Sequence, residues 1–125
     1  MYAVEDNFYR SNRFFTIDTS GHLAIITDAT TFKDANSVFA NMEIPNGSAF
    51  TSDHLASMIN DDGTVNIDPE GITADGGEYL YIASEDIGSI GDDENPIESL
   101  NFIFKVDHDG VIHEVITLPD EIHAV

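Results

Sequence analysis

The chain contains no cysteine, and only four lysines and arginines stand against 24 aspartates and glutamates in its 125 residues. Without cysteine there are no disulfides, zinc-thiolate sites, iron–sulfur clusters or cysteine nucleophile, and no redox compartment follows from the absence. The formal net charge of −20 excludes nucleic acid as a partner, because phosphate binding needs a basic footprint. An anionic membrane surface is disfavoured for the same reason. No long apolar run and no basic-then-apolar leader occurs, so neither membrane insertion nor a signal peptide is expected of the chain as given. A leader removed beforehand stays compatible with it.

Several catalytic signatures are missing too. None of His22, His54, His108, His113 and His123 stands in His-x-x-x-His or His-Glu-x-x-His spacing, and His113-Glu114 begins the second pattern and fails it. Gly47-Ser48 lacks the flanks of a serine-hydrolase elbow. Gly76-Gly77 is followed by no Lys-Ser/Thr and opens no helix, so it reads as a hairpin turn and not a phosphate loop. His108 reads as exposed turn chemistry.

What is present is a hydrophobic content of 42%, enough for the core of one folded unit spanning residues 1–125. The acidity has two readings: solubility in a salty medium that screens repulsion, or binding of a hard cation such as calcium through carboxylate oxygens.

Along the chain, Tyr2-Ala3-Val4-Glu5-Asp6 reads as a strand that begins almost at the first residue, as in a piece of something longer. Arg13-Phe14-Phe15-Thr16-Ile17-Asp18 is a second strand. Thr19-Ser20-Gly21 turns the chain into a third, His22-Leu23-Ala24-Ile25-Ile26-Thr27. Residues 28–64 form an irregular connection, with a short helix over 52–60 capped by Ser52 as one reading and a long loop with buried anchors as the other. Strands follow at 69–73, 79–84, 100–107 and 111–118, the last ended by Pro119. The rings of Phe14, Phe15, Tyr79, Tyr81, Phe102 and Phe104 alternate at strand spacing and are assigned to packing between sheets.

The two ends repeat each other. Ala3-Val4-Glu5-Asp6 matches Ala83-Ser84-Glu85-Asp86, and Phe15-Thr16-Ile17-Asp18-Thr19-Ser20-Gly21 matches Phe104-Lys105-Val106-Asp107-His108-Asp109-Gly110. The second copy carries a loop about nine residues longer. Four antiparallel strands repeated make the blade of a β-propeller, so the fold class predicted is all-β, a partial propeller of about two blades: a first over 2–27 lacking its innermost strand, and a second over 65–118. A ring closes with about 4–8 blades, so exposed edges imply either a longer protein or a homo-oligomer that completes a propeller ring.

The candidate site is Asn66-Ile67-Asp68-Pro69-Glu70-Gly71-Ile72-Thr73. Glu70 and Asp68 stand at a strand entrance, where carboxylates can bind a hard cation or act as an acid/base pair on a phosphate or acyl oxygen. The plainer reading gives Glu70 a strand hydrogen bond and makes Asp68-Pro69 a turn. The acidic loop supplies further candidate metal ligands in Glu85, Asp86, Asp92, Asp93 and Glu94, with Glu98 beyond them and Gly88 and Gly91 between. It lacks EF-hand spacing, and a solvated insertion is its plainer reading.

Three linked stretches resemble the esterase-like domain of phytase-type proteins, a β-propeller family of secreted and periplasmic bacterial proteins. They are Asp68-Pro69-Glu70-Gly71-Ile72, Leu80-Tyr81-Ile82-Ala83-Ser84-Glu85, and the run from Asn95-Pro96 through Phe102-Ile103-Phe104-Lys105-Val106-Asp107. They cover about the last 60 residues. The resemblance implies Glu70 directed at a central channel, calcium-dependent hydrolysis of a small phosphorylated or other ester substrate, and an extracellular or periplasmic location. Members are normally several times longer and most of the ring is missing here, so an active site assembled from several blades is not expected to be complete in one such chain. A noncatalytic module for ligand or protein binding and an acidic scaffold of a salt-adapted protein are the alternatives.

Overall fold

The structure, a computed structural model, describes residues 1–5, 11–44, 50–85 and 100–117. Its elements are β1 (Tyr2–Val4), β2 (Arg13–Asp18), β3 (Ile25–Thr31), α1 (Ser52–Ser57), β4 (Pro69–Ala74), β5 (Tyr79–Ser84), β6 (Phe102–Asp107) and β7 (Ile112–Thr117). They form two antiparallel sheets, a three-stranded one in the order β1-β2-β3 and a four-stranded one in the order β4-β5-β6-β7. The fold is all-β with one short helix, arranged as about two blades of a propeller. Among the described residues the first sheet has three strands, the counterparts of β5, β6 and β7. No helix among them is long and apolar enough to cross a membrane.

Strict alternation builds the second sheet. Along β6, Phe102, Phe104 and Val106 are buried while Ile103, Lys105 and Asp107 are only half-buried, the period-two pattern of a strand with one face on a core. Leu80 and Ile82 do the same on β5. The core between the sheets is completed by the connection, which contributes Phe32, Phe39, Phe50, Leu55 and Met58. The Phe39 ring meets Phe104 and Phe102 edge-on, with centroids 5.0 and 5.3 Å away, the favoured arrangement of aromatic pairs. Of the other predicted packing rings, Phe14 is buried, whereas Phe15, Tyr79 and Tyr81 lie half-buried on the opposite faces.

The sheets are joined by backbone. The Lys33 N–H donates to Gly110 O at 2.8 Å, and the Lys33 carbonyl accepts from Ile112 N–H at 2.9 Å. This bonding ties the segment after β3 to the β6–β7 turn. Asp34, buried, caps the turn that follows, its two oxygens accepting the N–H groups of Phe39 and Ala40 at 2.8 Å each. His108 in the β6–β7 turn is exposed as expected, but it also bridges the sheets, with Nε2 3.0 Å from Gly77 O and Nδ1 3.4 Å from the Tyr2 hydroxyl.

Ladder register corrects the repeat. Val4 pairs with Phe14, and Phe14 with Thr30; Ala83 pairs with Ile103, and Ile103 with Ile116. With Phe15 equivalent to Phe104, Val4 therefore corresponds to Ala83 and Tyr2 to Tyr81. The matched Ala3 and Ala83 are one position out of step, and a one-residue slip moves a side chain to the other face of a sheet. The bulges confirm this alignment: the register breaks between Thr16 and Ile17 in the first sheet and between Lys105 and Val106 in the second.

Two boundaries also change. The third strand is Ile25–Thr31 instead of 22–27, because the first hairpin loop runs over residues 19–24, with Asp18 paired to Ile25. In the second hairpin Asp107 N–H already bonds Val111 O. The helix is capped by Thr51 and not Ser52: the Thr51 hydroxyl accepts from His54 N–H, and His54 Nδ1 accepts from Thr51 N–H at 3.1 Å. This is a capping box with histidine in the position that glutamate or glutamine usually holds.

Candidate functional site

The chain reaches the site through a buried polar brace. Asn12, from the loop before β2, accepts the Ile67 N–H through Oδ1 at 2.8 Å, and its own N–H donates to Val65 O at 3.0 Å. Asn66 Oδ1 accepts both Ser11 N–H and Asn60 Nδ2 at 2.9 Å. Both asparagines are buried. Buried polar groups that satisfy one another in this way fix a single geometry, so residues 65–67 deliver Asp68 to the sheet edge in a set position.

Asp68 is then clamped through its backbone. Its N–H donates to the hydroxyl of buried Ser84 at 3.1 Å, and its carbonyl accepts Glu85 N–H at 3.0 Å. Pro69 opens β4 opposite Ser84, where an edge strand tolerates a residue with no N–H to give. The next ladder pair is Gly71 with Ala83, which leaves Glu70 as the extra residue of a bulge. A bulge re-aims the side chain it inserts. Glu70 is exposed, beside the end of β5 where Glu85 also emerges.

The result is a cluster. Carboxylate oxygens of half-buried Asp68 and exposed Glu70 and Glu85 all lie within 4.8 Å of one another, the only such group of three acidic, histidine or cysteine side chains among the described residues. At that separation two unit negative charges repel by about 1 kcal/mol even at the dielectric constant of water. A cation bridging them relieves the repulsion. Calcium–oxygen distances of about 2.3–2.6 Å place two oxygens on one ion up to about 5 Å apart, and calcium takes about 6–8 oxygen ligands, several of them water. The donor set therefore fits a hard, oxygen-loving cation, with exposed Glu70 and Glu85 leaving room for water.

A family model described as phytase-like, the esterase-like activity of phytase, matches residues 1–125. The chain belongs to the phytase-like family. Neither a curated protein nor a solved structure matches it. The match extends the resemblance seen over the later part of the chain to all of it, the first sheet included.

Of the candidate residues in this phytase-like chain, the structure brings Asp68, Glu70 and Glu85 together. Asp86, Asp92, Asp93 and Glu94 lie outside the described residues. His113 is set apart, with Nε2 2.8 Å from Asp107 Oδ2 and its ring edge-on to Tyr79. Sequence reasoning missed Ser84, Asn12 and Asn60, which together with Asn66 place the cluster. Ser84 stood within the quoted Leu80-to-Glu85 stretch and Asn66 within the candidate stretch, but nothing in the pattern marked Asn12 or Asn60.

Proposed function

We propose that this phytase-like chain is a calcium-associated segment of an extracellular or periplasmic esterase-like propeller that hydrolyses small phosphate or other esters. Asp68, Glu70 and Glu85 are its cation ligands. The observation that supports this reading is the convergence of the three carboxylates at the β4 bulge.

Calcium, when bound, supplies Lewis-acid polarisation of the phosphoryl or acyl oxygen and offsets the negative charge that develops there. The chain's own residues do the rest. The Ser84 and Glu85 contacts hold the Asp68 backbone rigid, so that its carboxylate keeps its position without reorganising. Glu70, raised on the bulge, has an exposed carboxylate whose Oε takes the proton of a water attacking the phosphorus or acyl carbon, and as the ester P–O or C–O bond breaks it returns that proton to the leaving alkoxide. The acidic surroundings alone disfavour an anionic ester, so substrate binding depends on the cation site being filled.

The test is turnover of a chromogenic phosphate and a chromogenic acyl ester with and without calcium. Glu70→Gln is expected to lower calcium-dependent turnover more than about tenfold, equivalent to about 1.4 kcal/mol of transition-state stabilisation. An unchanged rate assigns Glu70 to shaping the bulge alone.

A further inference from the structure

Beside the polar brace lies an open cleft of about 560 Å³, bounded by the loop before β2, the end of α1 and the turn that follows the helix. Ser11, Ser57, Asn60, Asp61 and Asp62 supply its polar lining, and Ala56 and Ile59 the apolar part. None of these residues belongs to the cluster of Asp68, Glu70 and Glu85.

What the cleft offers a ligand follows from where its protons go. Asp62 is held below the usual carboxylate range, chiefly by the Thr64 hydroxyl and then by the Thr64 N–H, with a smaller attraction from Lys33. It is therefore an acceptor only. The Thr64 hydroxyl gives its one proton to Asp62 Oδ1 at 2.6 Å, so Ser11 Oγ, 2.9 Å from Thr64 Oγ1, is the donor of that pair. The Ser57 hydroxyl donates to His54 O at 2.6 Å. Asn60 Nδ2 directs one hydrogen at Thr64 Oγ1 and the other at Asn66 Oδ1, each at 2.9 Å, while Asn60 Oδ1 accepts from Asn66 Nδ2 at 3.0 Å. Every side-chain donor in the lining is thus committed within the fold. What remains for a ligand are lone pairs on Ser11 and Ser57 and the carboxylates of Asp61 and Asp62.

The arrangement is fixed before any ligand arrives. Ser11 has φ +55°, in the left-handed region that a residue other than glycine rarely adopts. Its N–H, donated to Asn66 Oδ1 at 2.9 Å, and its hydroxyl bond to Thr64 hold it there.

A wall of acceptors rejects anions and suits a group that only donates. A primary ammonium has three N–H donors and no acceptor, and its charge is opposite to those of Asp61 and Asp62. A bare metal ion fits less well. Among the described residues these two aspartates make no group of three with another acid or histidine. The cleft is also far larger than an ion, with Ala56 and Ile59 placed to cover a short alkyl stem.

We propose that this cleft binds the ammonium group of an alkylamine, with Asp61 and Asp62 balancing its charge, Ser11 and Ser57 accepting its N–H groups, and Ala56 and Ile59 covering its stem. A free amine and a lysine side chain present the same chemistry. The site rests on this cleft and not on calcium or the ester reaction.

The test is titration of the full chain with n-pentylammonium in about 0.15 M salt, where the screening length is about 8 Å, following the backbone amide signals of Ser57, Asn60, Asp61 and Asp62. Saturable shifts at these residues are expected, with affinity about three- to fivefold weaker in Asp61→Asn. Ala56→Leu enlarges an exposed helix residue that lines the cleft and is expected to abolish the shifts. Both variants leave the brace in place, checked by their melting curves. Pentyltrimethylammonium keeps the charge without an N–H, and 1-pentanol keeps the stem without the charge; each is expected to bind more than about tenfold more weakly. Binding of Nα-acetyl-lysinamide as well as pentylammonium identifies a lysine side chain as the source, and binding of pentylammonium alone identifies a free amine. The proposal is overturned by the absence of saturable shifts, by shifts confined to other acidic residues, by equal affinity for the trimethyl compound, or by affinity unchanged in both variants.

Discussion

The two sheets share a ladder and a bulge but not a hairpin. Both break register at the equivalent point, Thr16/Ile17 and Lys105/Val106. Yet the loop between β2 and β3 is long and exposed, with Leu23 at 75% exposure, and β3 opens beyond it with Ile25 and Ile26 at 57 and 63%. The turn between β6 and β7 is short, buried at Gly110 and bonded through Lys33 to the other sheet. Strand pairing is therefore what the repeat preserves. Turns diverge freely unless they touch a neighbouring sheet, and the β6–β7 turn is the one that does.

That contrast is open to attack position by position. The largest difference is expected between the equivalent rings Phe104 and Phe15. Phe104→Ala empties a site 1% exposed between Phe39 and Phe102 and is expected to cost about 3–5 kcal/mol in urea unfolding. Phe15→Ala, at a half-buried position, is expected to cost about 1–2 kcal/mol. Equal losses would mean that the far face of the first sheet is as enclosed as the core.

The paired glycines come next. Gly110 has φ +83°, and an added Cβ would lie 2.2 Å from Thr31 O. Gly110→Ala therefore combines left-handed strain with a backbone clash, for an expected loss of about 3 kcal/mol. Nothing lies within 4 Å of the corresponding point at Gly21, where alanine is expected to change stability by less than about 0.5 kcal/mol. Thermal melts of the two variants separate these outcomes.

A smaller effect concerns the brace beneath the site. Asn12→Ala strands the buried Ile67 N–H and is expected to cost about 1–3 kcal/mol, with calcium affinity falling as Asp68 loses its support. Unchanged affinity would separate the brace from the cluster.

The smallest is pH dependence at the equivalent aspartates Asp107 and Asp18. Burial pushes the Asp107 carboxyl up, but hydrogen bonds from His113 and from the backbone of Val111 and Asp109 outweigh it and hold the group below the usual carboxylate range. A depressed value means that the stabilisation is complete above the unfolded value of about 4 and is lost as pH falls through the lower folded value. Asp18 is also depressed, through the Ser20 side chain and then its backbone N–H, but it is fully exposed. Asp107→Asn is expected to flatten the acid limb of the stability curve visibly, Asp18→Asn hardly at all.

The sheets were legible in the sequence because alternation such as Phe102-Ile103-Phe104-Lys105-Val106 has one physical solution, a strand with one buried face. Three features were not. The Ala3–Ala83 match followed residue identity, whereas register is set by the partner strand, which places Val4 and not Ala3 opposite the ring equivalent to Ile103. Leu23-Ala24-Ile25 looked like strand interior, yet the chain spends Leu23 and Ala24 in an exposed loop. Thr51 was overlooked because histidine completes its capping box. Of the site, Asp68-Pro69-Glu70-Gly71 and Glu85 stood out as acids around a turn. The bulge that turns them toward each other did not, since a bulge exists only relative to β5.

Calcium titration by calorimetry and melting temperature, on the wild-type chain and on Glu70→Gln, tests the central claim most directly. Asp68, Glu70 and Glu85 acting as one cation site predict a single saturable binding event, about 2.7 kcal/mol of added stability at calcium a hundredfold above its dissociation constant, and affinity more than about tenfold weaker in the variant, a loss of about 1.4 kcal/mol. No binding heat together with no thermal shift, or equal affinity in the two proteins, would contradict it.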